Sequence, residues 1–90
     1  MALAITHHKV KDYDAWRPVY DSDKGARESA GVTEVGVYRS VQDPNDIYIL
    51  MDVSDVAAFQ KFGESPQLRE KMEEGGVIGQ PEFALVERAE

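Results

Sequence analysis

Two adjacent histidines, His7 and His8, are the residues of this chain best suited to moving a proton, because imidazole titrates near neutral pH. Successive side chains of an extended strand point to opposite faces, so the two rings cannot hold one metal ion together within a chain. Cysteine is absent, and no third ligand stands at metal-site spacing. We therefore expect no metal site. We also expect each histidine to act alone, on its own face of the strand.

Residues 47–51 are five consecutive apolar or aromatic residues and mark a central strand of the sheet that positions these histidines. A run of this kind predicts burial on both faces of a sheet. The chain supplies helical segments only before and after this strand, enough to cover one face, and a domain of 90 residues buries only ~60% of its unfolded surface. We therefore expect a second copy to cover the other face, in a homodimer.

Four segments have the composition of β-strands: residues 2–10, 32–41, 47–53 and 82–88. The segments between them read as helices, the first capped by Asp12 and the second by Ser54 or Asp55. Gly63 interrupts the second helix, and Ser65-Pro66 restarts it as a cap residue followed by a first-turn proline. Pro18 removes a backbone donor and Gly25 lowers helix propensity, so we expect the first helix to kink or break between them.

The resulting order is βαββαβ. With right-handed crossovers it predicts an α+β, ferredoxin-like fold, in which a four-stranded antiparallel sheet carries both helices on one face. We expect a single domain over residues 1–90. The glycines at 75, 76 and 79 read as the end of the second helix followed by a loop, with the last strand beginning at residue 82.

The direction of the strand side chains follows from Val10 and Val53, which occupy equivalent places before the two helices and should both point toward them. Strand alternation then places Thr6, His8, Ile49 and Met51 on the helix side. It places Leu3, Ile5, His7, Lys9, Tyr48, Leu50 and Asp52 on the open side.

The open side therefore gathers His7, Tyr48, Leu50 and Asp52 in the space between two paired sheets. We hypothesise that His7 acts there as a base and Tyr48 as a proton donor, with Leu50 and Asp52 as ligand contacts. The alternative is that His7 is a polar interface residue satisfied by a hydroxyl, a carboxylate or water. We also consider a pair between Lys9 and Asp52, which adjacent parallel strands would allow.

An aromatic stripe on the first helix adds Trp16 and Tyr20, which either line a pocket for a planar ligand or pack in the core. Arg39 faces one side or the other according to register. We include all three among the predicted ligand contacts.

The composition bears on partners and location. The formal charge is −7, from 10 basic and 17 acidic residues, and the basic residues are scattered, so nucleic acid is not an expected partner. No apolar run approaches the ~20 residues of a membrane span. Without cysteine there is no disulfide framework, and we expect a cytoplasmic protein.

The order βαββαβ, together with Asp12-Tyr13-x-x-Trp16-x-x-x-Tyr20-Asp21, resembles the dimeric α/β-barrel superfamily, especially small proteins like the antibiotic biosynthesis monooxygenases. The resemblance implies a homodimer with a barrel-like interior. Relatives include cofactor-independent oxygenases of polycyclic aromatics, polyketide cyclases that use histidine and tyrosine, and haem-degrading enzymes. The histidine of the haem enzymes lies in the second half, and this chain has none after position 8.

We therefore expect no cofactor. The leading hypothesis is cofactor-independent oxygenation or cyclisation of an aromatic or polyketide-like molecule in a mostly apolar pocket. The alternative is a non-catalytic module that dimerises or holds a small ligand. A pocket of ~300 Å³ or more with convergent polar groups favours the first hypothesis, and a tightly packed interior favours the second.

Overall fold

A computed structural model describes residues 2–89 of the chain. Its elements follow the predicted order, with each predicted helix divided into two helical segments. In chain order they are β1 (Ala2–Val10), α1 (Tyr13–Ser22), α2 (Lys24–Ser29), β2 (Val32–Arg39), β3 (Asp46–Val53), α3 (Val56–Gly63), α4 (Pro66–Glu74) and β4 (Val77–Glu87). The break between α1 and α2 falls at Asp23, inside the predicted interval.

The four strands form one antiparallel sheet in the order β2-β3-β1-β4. This arrangement confirms the α+β, ferredoxin-like fold. The register pairs His7 with Tyr48 and Leu3 with Asp52. The pairing considered for Lys9 and Asp52 is wrong, because antiparallel pairing places these residues at opposite ends of β1 and β3.

Side chains alternate across the two central strands as predicted. The even-numbered residues of β1 from position 2 to 10 are buried, and so are the odd-numbered residues of β3 from 47 to 53. The buried apolar residues include Ala4, Ile47, Val53, Trp16 and Phe59, so the core lies between the sheet and the helices. No helix of residues 2–89 lies on the opposite face of the sheet.

The helix starts agree with the sequence in two cases and differ in a third. Asp55 caps α3 by accepting a hydrogen bond from the Ala58 amide at 3.1 Å, and Ser65 caps α4. Asp12 occupies the first cap position, but its side chain makes no cap hydrogen bond. Asn45, from the loop before β3, accepts the Tyr13 amide instead, at 2.8 Å.

The last strand is longer than predicted. It begins at Val77, because residues 77 and 78 pair with β1 before a bulge. Between the pairs Lys9 with Ile78 and His7 with Glu82, β4 advances four residues while β1 advances two. The predicted loop is therefore a bulge within the strand, directly beside His8. Gly79 lies in it with φ of 72°, a left-handed conformation that glycine adopts without steric cost.

Among residues 2–89, no helix has the length and apolar character needed to cross a bilayer.

Candidate functional site

A cavity of about 70 Å³ lies between the sheet and the helices. Most of its wall is apolar or aromatic and includes Trp16, Ile49, Met51, Phe59, Phe62 and Phe83. Its volume is below half of the ~150 Å³ at which an apolar protein cavity has been found to take up benzene. An aromatic ligand therefore has to displace side chains here or extend beyond the cavity.

An open groove between α4 and β4 adjoins this cavity. Gly63, Leu68, Met72 and Phe83 line both spaces, and the groove adds about 340 Å³ of open volume. The cavity alone is smaller than the ~300 Å³ expected of a ligand pocket, whereas the cavity with its groove exceeds that size. The flexible side chain of Met72 lies where the two spaces meet and can adapt to a ligand.

His8 projects from β1 into the cavity wall and is only 6% exposed. Neither of its ring nitrogens has a hydrogen-bond partner within the described structure, and the same holds for the hydroxyl of its neighbour on this face, Thr6. The ring edge meets Trp16, with 5.6 Å between ring centroids. Burial lowers the pKa of His8 to about 4, with the charge of nearby His7 acting in the same direction. His8 is therefore a neutral imidazole at pH 7.

Trp16 and Tyr20 both lie on the cavity wall, stacked with 4.8 Å between ring centroids. The Tyr20 hydroxyl donates to Glu34 at 2.8 Å, and burial raises the pKa of Tyr20. These two predicted contacts are therefore on the helix side of the sheet, on the face opposite to His7 and Tyr48. Trp16 also belongs to the hydrophobic core, so its position fits both interpretations that the sequence left open.

The open face carries the other histidine. The rings of His7 and Tyr48 stack in parallel with 4.2 Å between centroids, so the predicted proximity of these residues is confirmed. Nε2 of His7 lies 2.6 Å from the Asp46 carboxylate, and Nδ1 lies 3.6 Å from that of Glu82. Both ring nitrogens therefore face carboxylates.

The remaining predicted contacts lie apart. Leu50 is on the open face, opposite Ile5. Asp52 is four residues beyond Tyr48, ~13 Å along the strand. It therefore lies away from His7, contrary to the expectation. Arg39 lies on the helix side, where its guanidinium carbon is 4.0 Å from the centroid of the Tyr13 ring. Their roles as ligand contacts stay predictions.

Sequence reasoning missed the polar residues of the cavity wall, among them Thr6, His8 and Arg27. Thr6 and His8 were correctly expected to face the helices, but proton-transfer residues were sought only on the opposite face, where the sheets of a dimer would meet. Arg27, in α2, lines the cavity and is 8% exposed although it is charged. No periodic signal marks it, because α2 has only six residues.

The fold and this cavity define a ferredoxin-like α+β domain with an interior apolar site that contains unpaired polar atoms. Among residues 2–89, no group of three or more histidine, cysteine, aspartate or glutamate side chains is arranged to hold a metal ion.

Comparison with known proteins finds similarity at the level of the fold. No protein-family profile matches the chain, and no curated protein sequence does. Solved structures do match. One described as an antibiotic biosynthesis monooxygenase superposes with a TM-score of 0.75 and 14% identity, covering 100% of both chains.

A protein of Bordetella bronchiseptica, provisionally assigned as an antibiotic biosynthesis monooxygenase, gives a TM-score of 0.78 with 15% identity and covers 98% of this chain and 96% of its own. One of Caulobacter crescentus, assigned in the same way, gives 0.74 with 12% identity over 99% and 90%. These identities establish a shared fold, and they confirm the resemblance predicted from the sequence at that level.

Proposed function

We propose that this protein binds a small aromatic or polyketide-like molecule between its sheet and its helices and oxygenates or cyclises it without a cofactor. The observation that carries the proposal is the group of unpaired atoms on the cavity wall: both nitrogens of His8 and the hydroxyl of Thr6. A buried polar group without a partner costs ~1–3 kcal/mol, and a ligand that supplies the missing hydrogen bonds removes that cost. The fold shared with structures described as monooxygenases supports the reaction class.

His8 is our candidate for the base. As a neutral imidazole it has one nitrogen free to accept a proton from an activated methylene, an enol or a phenol of the substrate. Proton transfer leaves an imidazolium beside an enolate or carbanion, and their mutual attraction offsets the burial that disfavours the charged ring. The electron-rich anion then reacts with dioxygen, or with a carbonyl of the same molecule in a cyclisation. In the oxygenation of a methylene to a carbonyl, one oxygen atom stays in the product and the other leaves as water.

The hypothesis of His7 as base and Tyr48 as donor is a second proposal, supported by their stacked rings. Nε2 of His7 lies against the Asp46 carboxylate and Nδ1 faces that of Glu82, so each ring nitrogen already has a carboxylate beside it. We therefore favour His8 for proton abstraction and assign His7 to the interface between subunits.

Turnover of anthrone, a tricyclic ketone with an activated methylene, tests the catalytic proposal. We expect the protein to accelerate oxygen uptake by anthrone, and His8→Phe to abolish the acceleration, since phenylalanine fills the space without accepting a proton. His7→Phe is the matched control and should retain it. Loss of turnover in His7→Phe with retention in His8→Phe would instead assign the base to His7.

Anthrone binding without oxygen uptake would support the alternative of a ligand-binding module. It can be detected through the indole N–H resonance of Trp16, the only tryptophan in the chain. If anthrone neither shifts this resonance nor consumes oxygen, the cavity is not the site of such a ligand.

We further propose that the chain is a homodimer joined through the open face of the sheet. In support, this face carries Ile5 and Leu50 together with more exposed apolar side chains, among them Tyr38 at 54% and Ile78 at 49%. Contiguous apolar patches of this kind mark interaction sites. The absence of cysteine supports a cytoplasmic location.

Leu50→Asp tests the dimer, because it places like charges on an apolar interface. Sedimentation should report twice the chain mass of 10.1 kDa for the unmodified protein and the single mass for the variant. Val56→Asp is the control, since Val56 is 42% exposed on α3, away from the open face, and its variant should stay dimeric. A single-chain mass for the unmodified protein at micromolar concentration contradicts the proposal.

A further inference from the structure

Arg27 carries a positive charge that the fold buries without a carboxylate partner. Nη1 donates a hydrogen bond to the carbonyl oxygen of Tyr20 at 2.7 Å, and the guanidinium carbon lies 3.8 Å from the centroid of the Tyr20 ring. Within residues 2–89, no carboxylate oxygen comes within ion-pair distance of this guanidinium. Buried charges in proteins are ordinarily paired, so this one is exceptional.

The contacts with Tyr20 do not neutralise the charge. The Tyr20 hydroxyl donates to Glu34, and burial raises the pKa of Tyr20, so the phenol is neutral at physiological pH. The hydrogen bond to the carbonyl uses one of the five N–H donors of the guanidinium. Arg27 therefore keeps both a net charge and hydrogen-bonding capacity.

The guanidinium stands on the wall that His8 also lines. Trp16 and Tyr20 extend between them, since the Trp16 ring meets His8 at one edge and stacks on Tyr20, which in turn lies against Arg27. On its other side Arg27 borders an outer groove with the carboxylates of Asp21, Glu28 and Glu34, none of which pairs with it. Asp23 and Lys71 also line the cavity, and within residues 2–89 no ion pair joins Asp23 to Arg27. The cavity thus has an imidazole and a guanidinium joined by an aromatic wall.

We propose that the ligand of this cavity carries an anionic oxygen, as a carboxylate or a phenolate on an aromatic ring, and that Arg27 binds this group. The inference rests on the proposed function and names its substrate class as aromatic acids and acidic phenols. A planar ring packs against Trp16 while the guanidinium donates charge-assisted hydrogen bonds to the anion. The anion supplies the ion-pair partner that Arg27 lacks within residues 2–89.

A matched pair of one-ring probes, benzoate and benzyl alcohol, tests the inference on the unmodified protein. Their sizes are close, and only benzoate is charged at pH 7. Titration of the Trp16 indole resonance should show that benzoate binds at least roughly tenfold more tightly, as a charge-assisted contact predicts. Because the chain has a net charge of −7, general electrostatics would give the opposite preference.

Two variants test whether Arg27 is the cause. Arg27→Gln should reduce the preference for benzoate to less than about twofold while leaving the affinity for benzyl alcohol unchanged, and Arg27→Lys, which keeps the charge, should retain part of it. Circular dichroism checks the fold of each. If Arg27→Gln does not fold, the preference of the unmodified protein and its decline with added salt decide the question.

The inference is overturned if both probes bind equally well to the unmodified protein, or if Arg27→Gln retains the full preference. In either case, binding of benzyl alcohol would still support the proposed ligand site in the cavity. Failure of both probes to perturb the Trp16 resonance would overturn the inference and the proposed ligand site together. Oxygen uptake by anthrone and its loss in His8→Phe are measured separately, so the two proposals can fail independently.

Discussion

The stability of this protein should fall steeply in mild acid because of one residue, His8. Its pKa is about 4 in the folded chain and near 6.5 when the chain is unfolded. Between these values the unfolded state binds more protons than the folded state, so the free energy of unfolding decreases as the pH falls through this window. Stability from this source is complete above pH 6.5 and is lost by pH 4.

The size of the effect follows from the difference between the two pKa values. Over the whole window it amounts to about 3 kcal/mol, and about 2 kcal/mol is already lost at pH 5. His8 is only 6% exposed, so solvent screens little of this cost. A loss of this size is a large fraction of the 5–15 kcal/mol that typically stabilises a domain.

The assay compares urea unfolding of the unmodified protein with that of His8→Phe at pH 7 and pH 5, at one protein concentration so that any dimer dissociation contributes equally. At pH 7 we expect the variant to be within about 1 kcal/mol of the unmodified protein, because both His8 nitrogens lack partners. At pH 5 the difference in unfolding free energy between the variant and the unmodified protein should shift by roughly 2 kcal/mol in favour of the variant, compared with the difference at pH 7.

His7→Gln is the control, because His7 is half-buried on the other face and its replacement leaves a titrating His8. This variant should keep most of the acid sensitivity. The reasoning is refuted if His8→Phe loses stability between pH 7 and pH 5 as much as the unmodified protein does. A proton NMR titration of the His8 ring gives the pKa directly, and a midpoint near 6.5 would refute the same reasoning.

Two further predictions concern stability at neutral pH. Thr6→Val should leave the free energy of unfolding in urea unchanged or raise it by up to ~1 kcal/mol, because the hydroxyl that it removes is buried without a partner. A loss above about 1 kcal/mol would show that this hydroxyl has a hydrogen-bond partner in the folded chain. Asp55→Ala should lower the free energy of unfolding by ~1 kcal/mol, since it removes the cap of α3. Asp12→Ala should lower it by less, because the Asp12 carboxylate makes no cap hydrogen bond. Equal losses in the two variants would contradict this assignment of the caps.

The sequence alone determined the order of the elements and which side chains of the two central strands point toward the helices. Both depend on local signals, namely β-branched and aromatic runs, cap residues and strand alternation. Val10 and Val53 were enough to predict that His8 faces the helices and His7 the open side, as the structure has them. The last strand was predicted too short, because Gly79 and Pro81 resemble a loop locally while pairing with β1 extends the strand past them.

The tertiary structure decided which residues meet, because those contacts join parts of the chain that are distant in sequence. Register placed Asp46, rather than Asp52, beside His7. Packing of α2 against the sheet side buried Arg27, which composition alone would leave at the surface. The cavity also arises only where side chains of the sheet meet those of the helices, so no pattern along the chain could reveal that His8 and Arg27 share a wall.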